Sequence, residues 1–190
     1  MNKKEESEFL SSYFDEFYKC SYGNFKSELL LNAANLIKET SRKARKVFFV
    51  GNGASASIAN HCALDFTKQA KIRSISFSDS AFLTAYGNDF GYENWVERAL
   101  EHHSDPGDTV ILISSSGNSP NILNGAKVAK EIGLSSITLS GFEKENPLRS
   151  LGDINLWADS KSYNIIEATH TLWLVAICDL IIGKKEYAVS

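Results

Sequence analysis

The chain has 190 residues and a formal net charge of −3, and it is 43% hydrophobic and 23% charged. A chain of this length and composition is most simply one globular domain with a full hydrophobic core. The weak negative charge gives no reason to expect nucleic-acid binding.

The hydrophobic pattern, taken in chain order, predicts N-terminal helices followed by an alternation of strands and helices. Predicted helices cover 7–21, 24–42, 55–69, 79–86, 92–101, 119–132, 146–151 and 163–183, and predicted strands cover 46–50, 72–77, 109–113, 135–139 and 154–157. This alternation predicts an α/β fold, a three-layer doubly wound five-stranded parallel sheet. We therefore divide one predicted domain over 1–190 into N-terminal helices over 1–43 and an α/β core over 44–190.

The two N-terminal helices lie outside this alternation. In the second, which Asn24 can cap, five apolar residues recur at helical spacing: Leu29, Leu30, Ala33, Leu36 and Ile37. This stripe can pack on a partner subunit or cover the chain's own sheet, and the sequence leaves both open.

The cysteines and the apolar runs bear on the compartment. Three cysteines, Cys20, Cys62 and Cys178, lack CxxC spacing, which argues against a disulfide framework and fits a reducing cytoplasm. The charged start lacks the apolar stretch of a signal peptide, and Asp179 ends the longest apolar run. We expect a cytoplasmic protein with no membrane partner.

Two polar strand-to-helix turns are the most informative features. The first is Gly51-Asn-Gly-Ala-Ser55, and the second, Ser114–Ser119, offers hydroxyls from four serines: Ser114, Ser115, Ser116 and Ser119. Both turns follow apolar strands, so both are expected at the carboxyl edge of the sheet, where open α/β folds bind ligands. Backbone N–H groups, hydroxyls and a helix start suit a phosphorylated, hydroxyl-rich ligand.

One other interpretation of the second turn remains open, since its serines could merely cap a helix and tighten a turn. The Gly51 turn is not a dinucleotide fingerprint. Ala56 takes the third-glycine position, which the motif tolerates, but a ribose-binding acid after strand 72–77 is only weakly suggested, so we expect no nucleotide cofactor.

The order of the polar motifs resembles the sugar isomerase (SIS) domain, and most of all the bacterial phosphoheptose isomerases. The matching pieces are Gly51–Gly53 with Ser55, His61 and Asp65, Gly87–Tyr92, Asp105–Asp108, Ile113–Ser119, and Glu167 with His170. The resemblance covers residues from about 30 to 182. It implies conversion of sedoheptulose 7-phosphate to a heptose 7-phosphate for surface polysaccharide.

The resemblance also implies roles for individual residues. The serine turn would hold the sugar phosphate, and five residues would meet the sugar chain: Asn52, Gly53, Ser55, Asn88 and Asp89. His61 matches a zinc ligand, Asp65 stands where the family has a glutamate that is both ligand and catalytic base, and Glu167 replaces a glutamine that contacts metal and substrate. The family's second catalytic histidine falls on Val175, which can neither bind zinc nor move a proton.

The side-chain chemistry permits these roles without requiring them. His61 and Asp65 share one helix face, as do Glu167 and His170, and an imidazole with carboxylates can bind zinc or another divalent metal. His61 could equally be a half-buried histidine that is hydrogen-bonded to a neighbour, and Asp65 could pair with Lys68 or face water. Glu167 and His170 could be a surface pair. A carboxylate can move the proton between C1 and C2, so Asp65 is the expected base, with His170 as second acid or base.

We therefore predict a phosphoheptose isomerase-type enzyme that binds a phosphorylated sugar. The alternative is a non-catalytic SIS protein that senses a sugar phosphate or binds a protein, like the bacterial replication-initiator-associating proteins, which lack the catalytic pair. The apolar stripe, with Trp173 and Leu174, and the resemblance together predict a homotetramer. His61/Asp65 and Glu167/His170 could then come from different chains. We read His102 and His103 as surface residues at a helix end.

Overall fold

The computed structural model describes residues 1–23 and 27–186. It contains seven α-helices in this part of the chain: α1 (Lys3–Tyr18), α2 (Ser27–Arg42), α3 (Ala54–Lys68), α4 (Ser80–Phe90), α5 (Trp95–His103), α6 (Pro120–Glu131) and α7 (Tyr163–Ile182). The strands are β1 (Val47–Gly51), β2 (Ser74–Ser76), β3 (Thr109–Ile113), β4 (Ser135–Ser140) and β5 (Ile154–Trp157). A π-helix (Lys19–Gly23) follows α1, and a 3-10 helix (Pro147–Ser150) precedes β5. The predicted cap Asn24 lies outside the described residues.

The five strands form one parallel sheet in the order β2-β1-β3-β4-β5, which confirms the predicted fold class. The chain winds one way from β1 to β2 and the other way from β3 to β5. The order therefore reverses between β1 and β3, and such a reversal leaves a crevice at the carboxyl ends of the strands. Gly51 pairs with Ile113 across these two strands, so both end at the same level.

Helices cover the sheet on both faces and complete three layers. Helices α2, α3 and α7 pack on one face, where the first apolar cluster contains Phe49 and Ile111. Helices α4, α5 and α6 contribute to the second cluster, which contains Phe48 and Val110. Because neighbouring residues in a strand point to opposite faces, a parallel strand buried on both sides is apolar throughout.

Helix α7 requires a correction to the sequence analysis, which predicted no segment of membrane-span length. By length and composition alone α7 could cross a membrane. It instead packs in the first apolar cluster, with Ile165, Ile166, Leu174 and Ile177 almost fully buried. Its apolar character is that of a core helix.

Several element bounds differ from the predicted ones for local reasons. Helix α1 begins earlier because the Asn2 side chain caps it, and α4 runs on to Phe90 and ends at Gly91, which has a positive φ. Strand β2 keeps only three of the six predicted residues, and residues 147–150 form a single 3-10 turn instead of an α-helix. None of these shifts alters the order of the elements.

Candidate active site at the ends of β1 and β3

The two predicted turns meet at the crevice between β1 and β3. They line a cavity of about 150 Å³ together with the start of α7. The lining residues are Asn52, Ser55, Ile113, Ser114, Ser115, Ser116, Ser119, Tyr163 and Glu167. Of the residues predicted to bind the sugar phosphate, the structure thus brings together the four serines, Asn52, Ser55 and Glu167.

The serine turn is held in shape by its neighbours on the sheet edge. Gly117 has a φ of +66°, and a Cβ atom there would lie 2.0 Å from Oδ1 of Asn146. The buried Asn146 side chain donates hydrogen bonds to three oxygens on the segment from Ser140 to Glu143. Since Gly141 also donates its N–H to the Ser115 carbonyl (2.8 Å), the turn is braced from the β4 side.

The serines do not act as helix caps. Ser119 occupies the N-cap position of α6, yet its side chain makes no capping hydrogen bond. Its Oγ lies 3.0 Å from Oγ of Ser114 instead. The first-turn N–H groups of α6 therefore receive no hydroxyl from the turn, and an exposed helix start with neighbouring hydroxyls is a ready anion site.

Two further helices begin at the same cavity without a side-chain cap. Gly53, with a φ of +54°, stands at the N-cap of α3, and Ser162 stands at the N-cap of α7. Ser55, in the first turn of α3, and Tyr163, in the first turn of α7, both line the cavity. Three positive helix-dipole ends therefore face one small space, which compensates for the absence of lysine and arginine from its described lining.

Asn52 joins the two turns. Its amide exchanges two hydrogen bonds with Asn121 in the first turn of α6, at 2.9 and 2.8 Å. The Tyr92 hydroxyl donates a third to Asn52 Oδ1 at 3.1 Å. The Asn52 amide, which was predicted to contact the sugar, thus uses much of its hydrogen-bonding capacity to hold the Gly51 turn against the serine turn.

Glu167 brings a negative charge to the cavity wall. It lies in the second turn of α7, half-buried, and its Oε1 accepts a hydrogen bond from Ser115 Oγ at 3.5 Å. It is the only carboxylate among the described residues that line the cavity.

His61 and Asp65 lie elsewhere on α3. Their side chains form a pair, with 2.9 Å between His61 Nε2 and Asp65 Oδ2. Asp65 is ten residues beyond Ser55 on the same helix, which is about 15 Å along its axis. Burial, with a contribution from the charge of Asp65, raises the pKa of both Cys62 and Cys178 to about 12. These thiols stay protonated at neutral pH and are poor metal ligands.

The expected metal site does not form within one chain. Among residues 1–23 and 27–186, no three side chains of histidine, cysteine, aspartate or glutamate come together to hold an ion. His61 and Asp65 bond to each other, while Glu167 faces the serine turn. The donor set of a single chain therefore does not fit zinc.

Besides His61 and Asp65, three further predicted site residues lie away from the cavity. Asn88 and Asp89 are exposed near the end of α4 and bond to each other at 2.9 Å. His170 is fully buried, and its Nε2 donates to the Ser140 carbonyl at 3.0 Å. Burial lowers the pKa of His170 to about 4, so the ring is neutral at physiological pH. The expectation that its ring could reach the substrate is not met, because the ring is anchored in the core.

The sequence analysis missed four residues that build the site: Tyr92, Asn121, Asn146 and Tyr163. The position of Asn121, directly after the serine turn and in the first turn of α6, was a usable signal. Nothing local marks Asn146, whose importance comes from a contact with Gly117 across two loops. A larger cleft, about 490 Å³, lies beside β5 and holds neither of the two turns.

The sequence matches the family described as the SIS domain over residues 22–141. It is also similar to phosphoheptose isomerases of known sequence. That of Aliarcobacter butzleri is 36% identical over 160 residues, which cover 81% of this chain and 84% of the relative. That of Helicobacter pylori is 35% identical, with 81% and 83% covered.

Two solved structures of phosphoheptose isomerases have a similar fold over nearly their whole length. The enzyme from Francisella tularensis superposes with a TM-score of 0.87 at 25% identity, covering 97% of this chain and all of that one. The enzyme from Neisseria gonorrhoeae gives 0.86 at 27% identity, covering 93% and 98%.

Proposed function

The chain belongs to the SIS domain family, and on that premise we propose that it is a sugar-phosphate isomerase of the phosphoheptose isomerase type. The proposed reaction converts sedoheptulose 7-phosphate to a heptose 7-phosphate. The product would serve as a precursor of surface polysaccharide, and the enzyme would work in the cytoplasm.

One observation carries the proposal: four serine hydroxyls gather at an uncapped helix start in the crevice between β1 and β3. A phosphate there would accept hydrogen bonds from hydroxyls and backbone N–H groups and would meet the positive end of α6. The hydroxyl-rich remainder of the ligand would extend towards Asn52 and Glu167. Curated relatives that are about 35% identical over most of the chain are named for this reaction.

The first test measures binding and turnover together. Millimolar sedoheptulose 7-phosphate should raise the melting temperature, since a ligand that binds only the folded state stabilises it. Ser116→Ala combined with Ser119→Ala removes two hydroxyl donors to a charged group and should cost about 3 kcal/mol, or about 100-fold in Kd.

The matched control is Ser12→Ala with Ser80→Ala, two exposed serines that lie on α1 and at the start of α4. It should keep the full melting shift and the full rate of aldose formation. An unchanged shift in the Ser116/Ser119 variant would place the ligand elsewhere.

Val175 favours one other function, a non-catalytic sugar-phosphate sensor. A valine on α7 removes a group of the kind that contributes about 10²–10⁴-fold as a general acid or base. A sensor would show the melting shift without aldose formation or proton exchange for any heptose or hexose phosphate. That result would replace the isomerase proposal and leave the binding site in place.

A further inference from the structure

The cavity between β1 and β3 is small for the ligand proposed for it. Its volume in one chain is about 150 Å³, whereas pockets for small molecules typically measure about 300–1,000 Å³. The four serines of its lining suit the phosphate, so the carbon chain of a sugar phosphate must leave the cavity through its mouth. The side chains at the mouth then bear on which carbon chains are bound.

Tyr163 marks this mouth. Among the described residues that line the cavity, it is the one that belongs to the exposed surface, with 57% of its area accessible. It stands four residues before Glu167 on α7, so the two side chains share a helix face beside the serine turn. A ligand that leaves the cavity along α7 therefore passes the Tyr163 ring.

Phe142 holds the Tyr163 ring in place. The two rings meet edge to face, with 4.7 Å between their centroids. Phe142 is half-buried and packs against the first apolar cluster, so its own ring is anchored. Its N–H donates to the Ser160 carbonyl (3.0 Å), and the preceding Gly141 donates to Ser115 of the serine turn. The position of Tyr163 is thus linked to that of the turn.

Phe142 adopts a backbone conformation that is unusual for a bulky residue. Its φ of +53° lies in the left-handed region, which costs free energy for a residue with a Cβ atom. Such conformations persist where the surroundings hold them, and they cluster at ligand-binding sites. A glycine would relieve the strain but would leave Tyr163 without its aromatic neighbour.

We propose that Tyr163, positioned by Phe142, is a specificity-determining residue that contacts the carbon chain of the sugar beyond its phosphate. The proposal rests on the proposed function, which puts a sugar phosphate in this cavity. A tyrosine has an apolar ring and a polar tip, and a sugar chain likewise presents C–H bonds and hydroxyl groups. The ring packs on the C–H bonds, and the phenol exchanges a hydrogen bond with a hydroxyl. Sugar phosphates of six or seven carbons reach Tyr163, whereas a three-carbon sugar phosphate stays within the cavity.

The test compares ligands of different length on the full chain by calorimetric titration: inorganic phosphate, dihydroxyacetone phosphate and sedoheptulose 7-phosphate. Tyr163→Ala should raise the Kd of sedoheptulose 7-phosphate about 10-fold, and Tyr163→Phe, which keeps the ring, about 3-fold. The Kd values of the two short ligands should not change, because these do not reach the mouth. The control is Leu180→Ala, an exposed position towards the other end of α7, which should match the wild type for all three ligands.

Phe142→Leu tests the positioning role separately. Leucine keeps an apolar side chain against the core cluster but removes the aromatic neighbour of Tyr163. The variant should bind sedoheptulose 7-phosphate more weakly and inorganic phosphate as before. An equal loss for all three ligands would show that Phe142 has a merely structural role and would overturn its part in the proposal.

The remaining outcomes separate this inference from the proposed function. If the wild type binds no sugar phosphate, the proposed function falls and this inference falls with it. If Tyr163→Ala binds sedoheptulose 7-phosphate as tightly as the wild type does, only the role of Tyr163 is overturned. Tyr163→Ala should also sediment like the wild type. A shift towards the monomer would overturn the inference, since the ring would then act through contact with a second copy.

Discussion

At the scale of single residues, His170 shows how a conspicuous polar side chain serves packing. Its Nε2 donates to the Ser140 carbonyl, and its Nδ1 has no hydrogen-bond partner among the described residues. A proton on Nδ1 would place an unpaired charge in the core, which is why burial lowers the pKa from 6.5 to about 4. The ring ties α7 to the end of β4, beside the serine turn.

This buried ring makes stability depend on pH. Below pH 6.5 the unfolded chain binds a proton at His170 that the folded chain does not. The stability that this group contributes is therefore present above pH 6.5 and is lost as the pH falls towards 4. The loss should be on the order of 3 kcal/mol at pH 4.

His170→Gln should remove this dependence, because glutamine does not titrate. The free energy of unfolding of the wild type and of the variant is measured in urea at pH 7 and pH 4. From pH 7 to pH 4, the wild type should lose on the order of 3 kcal/mol more than the variant. His102→Gln, at the exposed end of α5, is the control and should keep the wild-type slope. If the difference in free energy of unfolding between wild type and variant is the same at both pH values, His170 is protonated in the folded protein as readily as in the unfolded one.

The residues of the site were predictable where a local pattern carries the chemistry. The serines were found because a polar turn after an apolar strand must lie at the sheet edge. Glu167 was assigned from its position in the family pattern. Asn88, Asp89 and His170 were assigned by position in the family pattern, and the direction of a side chain depends on packing that one sequence does not reveal. The role of Asn146 depends on a contact between two loops.

At the scale of elements, the site depends on two turns that hold each other. The reciprocal amide bonds between Asn52 and Asn121 connect the Gly51 turn to the start of α6. Each amide loses its main partner if the other is removed, so the two positions should not behave independently.

A double-mutant cycle with Asn52→Ala and Asn121→Ala should measure this coupling. We expect an interaction free energy of about 1–3 kcal/mol from urea unfolding, since either single change removes both hydrogen bonds between the two amides. The control cycle combines Asn52→Ala with Asn155→Ala, because Asn52 follows β1 and Asn155 lies in β5, at the edge of the sheet. Their effects on the free energy of unfolding should add to within about 0.5 kcal/mol. Additivity in the first pair would mean that the turns are held by the backbone alone.

The elements themselves were largely predictable, because the two kinds of element differ in their apolar pattern. The buried strands are continuous apolar runs, whereas apolar residues in the helices recur at helical spacing. The errors concern ends and edges. Strand β2 has one partner strand, β1, and keeps three residues. The short helix predicted over 146–151 has only the four residues of a 3-10 turn, with Asn146 at its cap.

At the scale of the whole molecule, most of the features that motivated the predicted tetramer are internal, although Leu29 of the stripe on α2 is 37% exposed. Trp173 and Leu174 are buried, and α2 turns Ala33, Ala34 and Ile37 towards the chain's own core. These residues therefore give no support for an interface. A different apolar stripe is exposed, formed by Leu10, Phe14 and Tyr18 at four-residue spacing on α1.

We propose that the protein is a homo-oligomer and that this stripe on α1 is covered in it. Sedimentation at micromolar concentration should show a species larger than 21 kDa, and Leu10→Ser with Phe14→Ser should shift it towards the monomer. Glu8→Ser with Asp15→Ser, on the polar face of the same helix, is the control. A 21 kDa wild-type species would refute the oligomer.

Oligomerisation also bears on the zinc that the family resemblance implies. Donors from a second copy would be needed beside His61 and Asp65, because the part of one chain that the structure describes does not supply a third. Elemental analysis of the wild type and of the Leu10/Phe14 variant should show zinc only in the assembled form. Zinc retained by the monomeric variant would contradict this requirement.

The position of α7 in the chain has a consequence for synthesis on the ribosome. All five strands precede it, so the sheet is translated in full before its most apolar cover emerges. During that interval the face that contains Phe49, Ile111 and Ile137 lacks its last packing layer, and a nascent chain with such a face is prone to aggregate. Completion of the core, and with it the placement of Glu167, is a late event in the life of each molecule.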